Sequence, residues 1–395
     1  METFKKITDD LYFVGGSDRK ITLFESAYPV SCGMSYNSYL LKGKETVLFD
    51  TVDSSVQDIF FENLEAVLKG QKLDFVVVHH MEPDHSATLK AVLQKHRETK
   101  VICNNKTKAM IFQFCGEIEE ERFITVNEGD SLKLSGHTVS FYLAPMVHWP
   151  EVMVSFDETE KILFSADAFG TFGDKGGNFF ADEIDFSIDE ARRYYTNICG
   201  KYGTQVKALL KKTEALDIEY ICPLHGPVIR KNIDTIIEKY DMWSGYAPEE
   251  KGVLIAYASI YGNTQKAAEI LSEKLNALGV ETKIYDTSYT HYSHILAEAF
   301  RFSHIVLASP TYNGGIFTSM ELLLNELKHH NLQNRTAGII ENGSWGPVAG
   351  KLMKEILSKM KNITVLEPTI TVKSALKEEQ LTAIDELAKA FKNSI

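Results

Sequence analysis

From Lys251 onward the chain repeats one pattern, an uninterrupted apolar run followed by an amphipathic helical stretch. "GVLIAYAS" leads into "TQKAAEILSEKLNALG", and "ETKIYD", "HIVLASP", "TAGIIENG" and "ITVLEPTITV" follow, with helical segments between or after them. A strand that is apolar on both faces must be covered on both faces, and a parallel sheet flanked by helices does this. Five such strands fit the order of a doubly wound α/β domain. Up to about Tyr246 the grammar differs. Short strands ("TVLFDTV", "DFVVVH", "KVICN", "LKLSGHTVSFYLA", "VMVSFD", "KILFSA") are separated by turn signals such as "SGH" and "DETEK". Helical stretches are interspersed, among them "SATLKAVLQKH" and the longer "DEARRYYTNICGKYGTQVKALLKKT". The chain is therefore α/β with two domains, 1–248 and 249–395. They are joined through the polar "SGYAPEEKG", which contains Pro248.

A length of 395 residues allows two cores. A net charge of -12 disfavours non-specific binding to nucleic acid or to an anionic membrane. No run approaches the roughly 18 apolar residues of a membrane helix, and "METFKKITDDLYFVGG" has no leader-like apolar region, so the expectation is a cytoplasmic protein. Five scattered cysteines without a C-x-x-C argue against a disulfide framework and against a thiolate-held metal module in this chain.

Three loops stand at carboxyl ends of the C-terminal strands, where open α/β sheets bind ligands. "ASIYGNTQKAAEI" gathers hydroxyls, a glycine and helix-start amides, an arrangement suited to a phosphate monoester; a capped helix alone would look the same. It lacks both G-K-[ST] and G-x-G-x-x-G. "SPTYNGGIF" and "ENGSWGPVAG" add the flat faces of Tyr312 and Trp345, and Gly314, Gly343 and Gly346 permit close backbone approach. This half resembles flavodoxin. The resemblance implies FMN, with Ser259, Ile260, Tyr261, Gly262, Asn263 and Thr264 around the phosphate and ribityl chain. Pro310, Thr311, Tyr312, Asn313, Gly314, Gly343, Ser344, Trp345 and Gly346 would then border the isoalloxazine.

The other dense stretch is "VVVHHMEPDHSATL". In extended chain His80, Glu82 and Asp84 face one way, Pro83 favours extended geometry at Glu82, and His85 reaches the same pocket after the turn. His79 points away and reads as a packing or hydrogen-bonded residue, and Ser86 falls outside the ligand set. His148 in "APMVHWPE", Asp167 after "KILFSA" and His225 in "EYICPLHGPVI" follow, mostly at strand ends. Singly each reads as a loop residue. Together, four imidazoles and three carboxylates without a metal would suffer desolvation and like-charge repulsion.

The arrangement resembles the metallo-β-lactamase fold, with Glu82 in place of the second histidine of H-x-H-x-D-H. Exchanging imidazole for carboxylate makes the site harder and suits iron over zinc. With a flavodoxin-like half directly following, the whole chain is similar to the flavodiiron proteins. The implied fold is an N-terminal metallo-β-lactamase-like αββα sandwich plus a C-terminal flavodoxin-like doubly wound parallel five-stranded sheet. By the family's pattern one iron takes His80, Glu82 and His148, and the other takes Asp84, His85 and His225. Asp167 bridges the two irons, which also share an oxygen bridge. His85 occupies a position that does not always bind metal in the family. Tyr195 in "RRYYTNI" reads equally as a hydrogen-bond donor beside the ligands or as a packing residue.

The resemblance implies an oxygen or nitric oxide reductase. Four electrons take dioxygen to water, two from the irons and two from reduced FMN; coupling two nitric oxides to nitrous oxide takes two. The implied donor is a rubredoxin or another small carrier, with a reduced deazaflavin as the alternative. The implied assembly is a head-to-tail homodimer or a dimer of such dimers. The rival readings are a zinc hydrolase of the metallo-β-lactamase type fused to a flavodoxin domain, and an electron carrier or redox sensor with a structural metal.

Overall fold

The computed structural model describes residues 4–174 and 176–395. It divides into two compact units, Met1–Tyr195 with Thr204–Asp241, and Thr196–Gly203 with Met242–Ile395.

The first unit is built on two sheets. The larger runs in the order Lys5–Lys6, Leu11–Phe13, Tyr39–Lys42, Thr46–Phe49, Phe75–Val77, Lys100–Cys103 and Phe123–Thr125. Its last four strands are parallel. The helices Gln57–Leu68, Leu89–Lys95 and Asn105–Cys115 lie in the crossovers between them. The second sheet runs Ser131–Leu134, His137–Leu143, Met153–Asp157, Ile162–Phe164 and Tyr220–Cys222. The core fills the space between the sheets: Leu11, Phe13, Val47, Phe49, Val77 and Ile102 meet Val139, Phe141, Met153, Ile162 and Phe164. Strand alternation explains the continuous apolar runs. Val47 and Phe49 enter this core, while Leu48, equally buried, faces the opposite side.

Two expected helices are interrupted. "DEARRYYTNICGKYGTQVKALLKKT" forms Ile188–Ile198, a 3-10 turn at Gly200–Tyr202, and Gly203–Thr213. Gly203 is needed where the chain restarts, since a Cβ there would stand 2.4 Å from the Ser244 carbonyl oxygen. "SATLKAVLQKH" begins its helix only at Leu89, after the single turn Pro83–Ser86.

The second unit is a doubly wound sheet in the order Thr282–Asp286, Glu250–Tyr257, Phe302–Tyr312, Arg335–Asn342, all parallel. Its fifth position is shared by Ile363–Val365 and Ile370–Val372, both parallel to Arg335–Asn342. "ITVLEPTITV" was expected as one strand. Pro368 has no N–H to give a ladder, and the chain leaves the sheet between the two pieces. The first strand begins at Glu250, inside the polar stretch expected to be linker. Helix Asn263–Ala277 buries Ala267, Ala268, Leu271 and Leu275 on one face, at helical spacing. Both candidate sites lie at carboxyl ends of strands, each within its own unit.

Candidate metal centre and flavin cleft

Strand Phe75–Val77 ends three residues before His80, and the chain then turns into the short helix Pro83–Ser86. Glu82 precedes that helix in extended geometry (φ -57°, ψ 138°), and Pro83 takes its first position, where a missing N–H costs nothing. The Ser86 hydroxyl donates to the carbonyls of Met81 and Glu82, fastening the turn. His80 and Glu82 thus leave an extended segment, while Asp84 and His85 leave the first turn of a helix. The two pairs serve different halves of the site, a division that strand alternation alone does not give.

Two groups of ligand atoms result. His80, Glu82, His148 and Asp167 form one; Asp84, His85 and His225 form the other. Glu82 Oε2 lies 3.2 Å from His80 Nε2 and 2.9 Å from His148 Nε2. Asp167 Oδ2 lies 3.2 Å from each of the same two nitrogens. On the other side, Asp84 Oδ2 lies 3.3 Å from His85 Nε2 and 3.1 Å from His225 Nε2. Asp167 Oδ1 is 3.2 Å from His85 Nε2 and 3.8 Å from His225 Nε2. Asp167 therefore presents one oxygen to each group.

Several of these atoms have no protein partner suited to them. Both Asp84 oxygens and Asp167 Oδ1 are buried without a hydrogen bond among the described residues, although imidazole nitrogens stand close by. His85 Nε2 and His225 Nε2 are 3.0 Å apart. Lone pairs brought together around a common point, instead of being paired with donors, fit a cation at each group.

The ring nitrogens facing away from the centre are held. His80 Nδ1 is 2.7 Å from Glu151 Oε1, which also accepts from the Met81 N–H. His225 Nδ1 donates to the Ser35 carbonyl oxygen at 2.7 Å, and a carbonyl only accepts, so Nε2 is left with its lone pair. Gly226, with φ at +78°, accepts no Cβ, because Thr171 Oγ1 would lie 2.4 Å away. His85 Nδ1 is buried without a partner.

Electrostatics follow from this crowding in the metal-free protein. Burial alone would lower the His148 pKa, but hydrogen bonds to Asp167 and Glu82 outweigh it and raise it to about 9. His80 is held well above its ordinary range: burial opposes the shift, and Asp167, Glu151 and Glu82 outweigh burial. His85 is raised in the same way, by Asp84 and Asp167 against burial. Glu82 is lowered to about 2, with burial overcome by His148 and His80, and Asp167 is driven well below the usual carboxylate range by the three imidazoles.

His79 turns the other way. Its Nδ1 is 2.6 Å from Asp50 Oδ2, its Nε2 is 2.8 Å from the Ser155 hydroxyl, and its ring stacks on Phe49. Tyr195 packs edge-on to Tyr240 at 4.9 Å. Its neighbour Tyr194 is the tyrosine of "RRYYTNI" whose ring touches His225, at 5.7 Å. Sequence reasoning passed over four further residues. Glu151 sits three residues after His148 in "VHWPEV", and a carboxylate so close to a candidate ligand is a usable signal. Phe24 and Tyr36, whose rings lie 5.1 and 5.6 Å from the His225 ring, come from distant short strands and gave none. Glu25 follows Phe24 at a hairpin tip. It stays exposed at its surface, yet crowding around the carboxyl and then the charge of Glu82 push it up to about 8.

The second unit has a cleft of about 500 Å³ at its strand ends. Ser259, Ile260, Tyr261, Asn263 and Thr264 line one side, and Pro310, Thr311, Asn313, Gly314, Gly343, Ser344, Trp345 and Gly346 the other. Asn342 and Ser374 complete it and were not expected. Gly262 takes φ +85° to start helix Asn263–Ala277, and its N–H donates to the Ser259 hydroxyl. Tyr312 is not among the lining residues; its ring packs on Phe317 at 5.5 Å. Thr311 Oγ1 accepts the N–H groups of Val348 and Ala349 at the start of helix Ala349–Leu357. Tyr261 and Trp345 are 91% and 96% exposed, so two flat apolar faces stand in solvent beside the cleft.

Comparison with known proteins agrees with this division. Residues 34–226 match the model of the ODP family beta lactamase, and residues 255–389 match that of flavodoxin. A nitric oxide reductase of Moorella thermoacetica is 30% identical over 97% of this chain and 96% of its own. The solved rubredoxin oxygen:oxidoreductase from Desulfovibrio gigas superposes with a TM-score of 0.93 at 27% identity, covering 99% of this chain and 98% of the other. The flavodiiron protein from Giardia intestinalis does so with a TM-score of 0.90 at 25% identity, over 99% and 98%.

Proposed function

Since the chain belongs to the flavodiiron proteins, an oxidoreductase family, we propose that it reduces dioxygen to water, nitric oxide to nitrous oxide, or both. The chemistry would run at a non-haem diiron centre supplied with electrons through FMN. The observation that carries this reading is Asp167, with one carboxylate oxygen in each ligand group. His80, Glu82 and His148 would hold one iron, Asp84, His85 and His225 the other, and Asp167 both. When bound, the irons supply a reducing site for the diatomic substrate, and FMN the electrons that restore it.

The chain's own part is positioning. Glu151 and the Ser35 carbonyl fix the ring orientation of His80 and His225. Phe24, Tyr36 and Tyr194 set aromatic rings against His225. Glu82, Asp84 and Asp167 offer three negative charges that would offset most of the four positive charges two ferrous ions would bring. In the cleft, Ser259, Asn263 and Thr264 would take the flavin phosphate at a helix N-terminus, and Tyr261 and Trp345 would flank the ring.

We assign the diiron domain to 1–248 and the FMN domain to 249–395. A rubredoxin or another small carrier is the proposed donor, and a head-to-tail homodimer, with the FMN of one subunit facing the diiron site of its partner, the proposed assembly. Among the described residues no helix is long and apolar enough to cross a membrane, and the proposed location is the cytoplasm. Metal analysis and anaerobic stopped-flow test the proposal together. Two irons and one FMN per chain, with rapid reoxidation of reduced protein by dioxygen or nitric oxide, are expected. Two zinc ions and no iron, or no reoxidation by either gas, would overturn it. Steady-state rates with each gas and a reduced rubredoxin then fix the substrate preference.

A further inference from the structure

We propose that Ser374 is a positioning residue of the flavin site, its hydroxyl holding the loop 343–346 where FMN needs it. The proposal deepens the reading above and rests on its placing of FMN in this cleft. Ser374 follows the strand Ile370–Val372, which runs parallel to Arg335–Asn342 with Val372 opposite Asn342. Successive ties join the two strand ends. The Gly343 N–H donates to the Val372 carbonyl oxygen at 3.0 Å. The Asn342 side chain and the Ser374 backbone then exchange a pair of bonds. Asn342 Nδ2 donates to the Ser374 carbonyl oxygen at 3.1 Å, and the Ser374 N–H donates to Asn342 Oδ1 at 3.2 Å. With its backbone so held, the Ser374 hydroxyl donates to the Ser344 hydroxyl oxygen at 2.9 Å.

Asn342, Gly343, Ser344 and Ser374 all line the cleft. Little other hydrogen bonding holds the loop. Among the described residues, the bond from Ser374 is the one hydrogen bond made by 344–346. Trp345, in the middle of that segment, is 96% exposed. The next anchors are Val348 and Ala349, whose N–H groups donate to Thr311 Oγ1. Between Gly343 and Val348 the hydrogen-bonded hold on the loop is therefore a single side-chain contact.

The Ser374 backbone points the same way. Its φ is +71°, in the region that a Cβ disfavours. The residue is exposed, so glycine would fit this turn at lower conformational cost. What serine brings that glycine lacks is the hydroxyl on Ser344. Strained backbone persists where surrounding contacts over-determine it, and such positions cluster at ligand sites. Once the Ser344 oxygen accepts from Ser374, it still has its own proton to offer to the cleft. A loop already held in place loses less freedom when the flavin ring binds, and that gain appears as affinity.

The test titrates full-length protein, stripped of flavin, with FMN and with riboflavin, and follows the quenching of flavin fluorescence. Ser374→Gly relieves the backbone and removes the hydroxyl. Its melting temperature is expected to be unchanged or higher, while both flavins bind about five-fold more weakly, the scale of one neutral hydrogen bond. An equal loss for riboflavin, which has no phosphate, assigns the effect to the ring side of the cleft. In a Ser344→Ala background, Ser374→Gly should have no further effect, because the bond it removes is already gone. Unchanged affinity in Ser374→Gly, a loss confined to FMN, or a full further loss in the Ser344→Ala background would each overturn the inference and leave the functional reading intact. Wild-type protein that binds neither flavin would instead overturn the functional reading, and this inference with it.

Discussion

Three of the four candidate imidazole ligands are raised in pKa by their carboxylate neighbours, His148 to about 9 and His80 and His85 in the same direction. At pH 7 the metal-free centre therefore holds His148 as an imidazolium beside Glu82 and Asp167, and ferrous iron must displace its proton to reach the nitrogen. For His148 the size follows directly. A group with a pKa of about 9 is neutral in about 1% of molecules at pH 7, so its proton alone weakens metal binding about 100-fold relative to a fully neutral imidazole. The shift also acts on folding, with the opposite sign. The folded value lies above the ordinary 6.5, so the contribution is complete below pH 6.5 and is lost as pH rises through 9. At 1.36 kcal/mol per unit this is about 3 kcal/mol for the metal-free protein. The lowered value of Glu82, about 2, expresses the same ion pair and counts once; its loss occurs only as pH falls through 2. Anaerobic calorimetry of ferrous ion binding to metal-free protein, in buffers of different ionisation enthalpy, counts the protons. Proton release is expected at pH 7, smaller by about one proton in a His148→Asn variant. Release of no protons at pH 7 would mean that the imidazoles are already neutral, and the account of how these carboxylates charge them would be refuted.

Other substitutions separate the parts. His85→Asn removes a proposed ligand whose outer nitrogen has no partner among the described residues; iron content should fall towards one per chain, with flavin content unchanged in the same sample. Glu151→Gln keeps the shape beside His80 but removes the charge. Iron affinity should weaken roughly 10–100-fold in a chelator competition, with the fold intact by circular dichroism. Thr311→Ala strands the N–H groups of Val348 and Ala349. It should cost about 1 kcal/mol of stability by denaturant titration and weaken FMN binding measured by fluorescence, without changing iron content.

The two sites were legible in the sequence to different depths. The flavin cleft was readable because its lining comes from three contiguous loops, each directly after an apolar strand, and strand ends in a parallel sheet share one edge. The loops that line it contain the quoted stretches, and what was missed is instructive. Asn342 belongs to a stretch already singled out, but as the last residue of its strand it reads as ladder and not as loop. Ser374 follows a strand piece that Pro368 displaces, so its arrival at the cleft depends on where the chain rejoins the sheet. Tyr312, expected at the flavin for its flat face, also packs its ring on Phe317 within the same loop.

The metal centre shows a harder limit. Ligand types at strand ends are visible one at a time, and the H-x-E-x-D-H segment is visible as a unit. What makes those side chains into ligands is supplied by groups with no sequence signature. The Ser35 carbonyl sets the tautomer of His225 from 190 positions away, and any residue at that position would present the same oxygen. Asp84 illustrates the point from the other side. Alternation in an extended chain places it beside Glu82, yet Pro83 opens a helix there and Asp84 turns towards His225 instead. A one-residue change of backbone state decides which ligand group a carboxylate joins, and a periodicity argument cannot resolve one residue.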